Sequence, residues 1–111
     1  MIYLLKQPAT PEQMKEMLET HESYIKLAVD VQKKILAGGG EFHADCEAVL
    51  VEEGSRKEHV WGADWMPDEK EVRFGSLINI RGKTNPGMEI LDEVIREQVT
   101  DVVRKLLDAH A

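Results

Sequence analysis

The chain carries a single cysteine, Cys46. No internal disulfide can form, and a thiolate zinc cluster, which needs several cysteines, is excluded. Positive charge is also scarce: 14 Lys+Arg stand against 21 Asp+Glu, a formal net charge of -7. Such a field repels a phosphate backbone, so nucleic-acid binding is not expected. Long apolar runs are missing. The start, MIYLLKQPATPEQ, is apolar for only four residues after Met1. That is too short for a signal-peptide core, and no small-residue cleavage site follows. Nothing approaches the length of a membrane span. These absences together lead us to expect a cytoplasmic protein with no membrane partner. A Walker loop, a dinucleotide fingerprint and a Ser-His-Asp order are absent as well.

What remains is an ordinary globular composition. The 111 residues are 42% hydrophobic and 32% charged, enough for one domain spanning 1–111 around one modest core. No linker, repeat or low-complexity segment interrupts it. Residues 2–5 read as a short strand ended by Pro8 and Pro11. Thr10-Pro11-Glu12-Gln13 is a helix start, with Thr as cap, Pro at the first position and Gln three residues after the cap. Residues 23–36 fit a helical stripe as well as an alternating strand. Their β-branched content, and the length a helix from Thr10 would reach, favour two strands with a reversal near Gln32-Lys33.

Residues 41–51 alternate. Phe42, Ala44, Cys46, Ala48 and Leu50 fall on one face, and His43, Asp45, Glu47, Val49 and Val51 on the other. Strands over 58–65 and 72–80 follow, joined by short turns. Asp92 caps a last helix with a wide apolar stripe, Val94, Ile95, Val99, Val102, Val103, Leu106 and Leu107. The expected fold is α+β: a mostly antiparallel meander of about five to six strands, with an N-terminal and a C-terminal helix packed on one face.

Five segments resemble a known pattern: ILAGGG at 35–40, HADCE at 43–47, WGADW at 61–65, SLINIR at 76–81 and MEI at 88–90. Through them nearly the whole chain resembles a family of short uncharacterised prokaryotic proteins, classed only as a domain of unknown function. In that pattern a proline often follows the arginine, where this chain has Gly82, and another follows the capping aspartate, where it has Glu93. Both departures are structural. The resemblance implies a fold-level relative and no reaction.

Candidate chemistry centres on GGGEFHADCE. On a strand, His43, Asp45 and Glu47 would lie about 6.6 Å apart in steps of two. One ion could then take two of them, with Asp64 as the next ligand from a neighbouring strand and Asp30 after it. A His43, Asp45 and Asp64 set would suit zinc or manganese, and no other cofactor is called for. A solvated strand face is the commoner state of such a row. Cys46 would leave the strand on the face opposite His43 and reads as a small buried hydrophobe, not a nucleophile. The triple glycine reads as a turn or bulge, because the strand after it opens on anionic Glu41 and offers no phosphate cradle. Trp61 and Trp65 read as core, and Arg73 and Arg81 as cross-strand partners of the acidic row.

The face holding Asp30, His43, Asp45, Asp64, Asn79 and Arg81 also holds Ala28, Val49, Val51, Val60 and Leu77. Apolar ground with a few polar groups suits a subunit interface or a ligand cleft. For so small a chain the interface ranks first, and Val49→Asp would then split a homodimer. The leading expectation is therefore a non-enzymatic, homo-oligomeric binding or regulatory protein. Behind it stand a small metal-dependent hydrolase or lyase at the His/Asp cluster, and a small-ligand binder using Asn79, Arg81 and the glycine turn.

Overall fold

A computed structural model describes residues 1–108. Five strands form one sheet: β1 (Tyr3–Leu5), β2 (Ile25–Asp30), β3 (Ile35–Gly38), β4 (Val60–Met66) and β5 (Glu71–Arg73). Three helices accompany them: α1 (Pro11–Leu18), α2 (His43–Glu52) and α3 (Glu93–Leu107). The class is α+β and every strand pair is antiparallel, as expected. The order is β1-β3-β2-β4-β5 and not a simple meander. Only β2–β3 and β4–β5 are hairpins; β1 reaches β2, and β3 reaches β4, by crossing over one intervening strand.

The largest correction falls on residues 41–51, which form a helix and not a strand. Ala44, Glu47, Ala48 and Leu50 are strong helix formers, and β-branched residues enter only at Val49 and Val51. The alternation was incidental; the period that matters joins Cys46 to Leu50, the two fully buried residues of α2. The expected strand over 72–80 is also cut short. After Arg73 the chain passes Gly75, bridged to Glu89, and turns through a short 3₁₀ segment, Leu77–Asn79.

Helices cover both faces of the sheet, where one had been expected to stay open. Crossover connections are right-handed as a rule. The β1–α1–β2 and β3–α2–β4 units step the same way across the sheet, yet β1 and β3 run antiparallel. One hand for both units therefore places α1 and α2 on opposite faces. On the first face Met17 of α1 and Val99, Val103 and Leu106 of α3 pack with Leu27, Val29, Trp61 and Trp65. On the second, Cys46 and Leu50 of α2 meet Ala28, Ala37 and Val60. Each fully buried aliphatic chain contributes about 1.5–3 kcal/mol relative to exposure. The mixed polar and apolar face is thus real in β2 and β4, but the chain's own helix covers it. Val49 packs partly buried against this second core, so Val49→Asp would unsettle the fold.

Local chemistry explains the other elements. Thr10 and Gln13 form a complete capping box on α1, and Asp92 accepts from Val94 and Ile95 N–H at the start of α3. The β2–β3 turn contains poor turn formers; its stabiliser precedes it. Asp30 Oδ1 accepts from the N–H groups of Gln32 and Lys33, both at 2.9 Å, and Lys34 takes a positive φ of 59°.

Candidate functional site

The triple glycine does lead into a helix, the layout a phosphate loop would use, but it leaves no cradle. A Cβ on Gly39 would fall 2.2 Å from the Met1 carbonyl oxygen, and one on Gly40 would fall 3.0 Å from Cys46 Sγ. The glycines let β1, α1 and α2 approach one another closely.

On α2, His43, Cys46 and Glu47 share a face at helical spacing, and Asp45 points elsewhere and is exposed. The expected metal set is therefore divided. His43 Nε2 lies 2.8 Å from Asp64 Oδ1 and 3.2 Å from the Ala63 carbonyl oxygen, whereas Asp45 joins neither. Both Asp30 oxygens are occupied, Oδ2 accepting from Ser55 Oγ at 2.6 Å. Among the described residues no group of three or more His, Cys, Asp and Glu is placed to hold one ion.

Because Nε2 faces two acceptors, it carries the ring proton. That leaves Nδ1 as the ring's free polar atom. It has no hydrogen-bond partner among the described residues, and no buried side-chain nitrogen or oxygen there lacks one. Nδ1 must therefore meet solvent. His43 also lines a cleft of about 340 Å³ between the start of α2, Lys26 of β2 and the 76–88 segment. It is lined by apolar Phe42, Leu77, Ile78 and Met88 together with Lys26 and Ser76. Phe42, which a strand would have placed on the same face as buried Cys46, is instead 58% exposed, and Leu77 is 73% exposed.

Cys46, buried on the same helix, is not among the residues that line the cleft. Its thiol donates to the Lys26 carbonyl oxygen at 3.6 Å. Burial pushes its pKa from 9.0 to about 11, against a lowering contact from the Gly40 backbone, so the thiol is held neutral. The strand-based argument for setting Cys46 aside was wrong in its geometry, since a helix puts it on the His43 side, yet burial silences it all the same.

Asn79 and Arg81 are committed to the backbone. Asn79 Oδ1 accepts from Gly62 N–H at 2.8 Å, and its Nδ2 donates to the carbonyls of Gly62, Phe74 and Met88. Arg81 donates to the carbonyls of Glu58 and Val60 and stacks 3.6 Å over the Trp61 ring. Burial lowers its pKa and the nearby Glu47 carboxylate opposes that shift. Glu47 and Arg81 line a neighbouring cleft of about 360 Å³ that shares Leu77 and Ile78. Arg73 pairs with Glu69 and Glu71. A larger cavity, about 530 Å³, lies between α1 and the end of α3. Its one carboxylate, Asp108, is tied to Lys70 and Arg104.

Lys26, Phe42, Ser76, Leu77 and Met88 were not foreseen as neighbours of His43. Their signal was weak: HADCE, SLINIR and MEI, three of the segments that carried the resemblance, line this one cleft, and WGADW supplies the Asp64 that holds His43. No helix among the described residues is long and apolar enough to cross a membrane. A family model described as protein of unknown function (DUF5674) matches residues 3–106. No curated protein and no solved structure matches the chain.

Proposed function

The chain belongs to this family of unknown function, and from its geometry we propose a non-enzymatic binding domain whose working surface is the Phe42–Leu77–Met88 cleft. The observation that carries the reading is the His43 ring. It is oriented by Asp64 and Ala63 and lines a cleft whose other residues are mostly apolar. An apolar recess with a few placed polar groups is the usual form of a small-molecule site. The single thiol is sealed and neutral, which also suits a reducing, cytoplasmic setting. In a fragment screen followed by amide NMR, binders should shift His43, Ala44, Leu77 and Met88 together. Shifts scattered elsewhere, or none, would refute the proposal.

Homo-oligomerisation is the second reading. The face first assigned to it is covered, but Leu77, Ile80 and Met88 remain exposed at 73%, 46% and 51%. Grouped apolar side chains at a polar rim also suit a contact between copies. Light scattering should then give a dimer mass that Leu77→Asp reduces to the monomer. The metal-dependent hydrolase or lyase keeps only the His43–Asp64 contact of its expected ligand set. It requires stoichiometric metal in untagged protein, lost in Asp64→Asn.

A further inference from the structure

We propose that the cleft takes a small organic carboxylate: an anionic head held by the Lys26 ammonium beside His43, with an aryl or short aliphatic body between Phe42, Leu77 and Met88. This rests on the binding-domain reading and adds the class of ligand.

The charge at the cleft is the deciding feature. Lys26 stands opposite Asp64 in the β2–β4 register, so both side chains leave the sheet on the α2 face. A Lys–Asp cross-strand pair would be the ordinary arrangement. Here His43 takes the Asp64 carboxylate at 2.8 Å instead, and Lys26 is left with no carboxylate within ion-pair distance among the described residues. Its ammonium sits 5.9 Å from the centre of the Phe42 ring, at the wall of the cleft. The site thus holds one uncompensated cation beside a ring whose Nδ1 faces solvent.

Three further observations shape the ligand. The cleft, about 340 Å³, is at the small end of small-molecule sites. Its walls are aromatic and aliphatic, which a wholly polar anion such as phosphate would not use. Ser76 Oγ already accepts from Ile78 N–H at 3.3 Å, so it offers the ligand a donor and little more. The overall charge of -7 opposes an anion at long range. At physiological salt that field decays over about 8 Å, and the nearby ammonium dominates inside the cleft.

The test is an amide-NMR titration of the whole chain with phenylacetate and hexanoate. Phenylacetamide serves as neutral control and hexylamine as cationic control. The carboxylates should shift His43, Ala44 and Leu77 saturably, and the controls should bind about tenfold more weakly, the scale of one charge-assisted contact. Lys26→Gln should abolish the tenfold preference and bring carboxylate and amide to the same affinity. If acid and amide bind the wild-type cleft equally, or the amine binds best, the carboxylate assignment is overturned and the binding site itself stands. If none of the probes shifts these residues, the site fails with it.

Discussion

Cys46 shows how one side chain links position to pH. It is fully buried on the inner face of α2, and burial raises its pKa from 9.0 to about 11. Between those values the folded state holds a proton that the unfolded state releases. Its contribution is therefore complete below 9.0 and disappears as the pH rises toward about 11, a loss of about 2–3 kcal/mol. Denaturant titrations across that window should show a steeper fall for the wild type than for Cys46→Ala. Parallel falls would show that the thiol does not titrate against burial. Much at this scale was readable beforehand: the Thr10 box, the Asp92 cap and the burial of Trp61 and Trp65 follow from local chemistry or hydrophobicity. The roles of Asn79 and Arg81 were not, because their partners are carbonyls 17 to 23 residues away as well as near ones, and a backbone carbonyl leaves no mark in a sequence.

Among the elements, α2 and the 76–79 segment decide the candidate site. A misassigned period sends each side chain to a different neighbour, which is how Asp45 entered the expected set and Lys26 did not. Cys46 and Leu50 satisfy both periods, since they are four residues apart, so only the helix formers around them separated the two readings. The 76–79 segment lies directly on β4. A Cβ on Gly62 would come within 2.7 Å of Ser76 Cβ and 3.0 Å of Ile78 Cγ1. Gly62→Ala should therefore lift this segment, strain the Asn79 hydrogen bonds and cost about 1–3 kcal/mol. Thermal unfolding gives the loss, and amide shifts at Leu77 and Met88 report the displacement; a variant as stable as wild type with unmoved shifts would contradict the packing.

For the whole molecule, the sheet order predicts where stability lies. β2 is paired on both sides and covered on both faces, whereas β1 and β5 are three-residue edges. Amide exchange should be slowest in Leu27, Ala28 and Val29 and faster by orders of magnitude at Tyr3 and Glu71. Comparable protection at the edges would mean that another surface pairs with them, as a second copy would. The composition, the α+β class, the strand segments of β1 to β4 and the two end helices were all legible in advance. They depend on which residues are apolar and on caps within four residues of each other. Strand order, the second covered face and the meeting of His43 with Asp64 beside Lys26 were not. They arise from two interleaved crossovers of one hand, and handedness is a property of the folded backbone that no local stretch encodes.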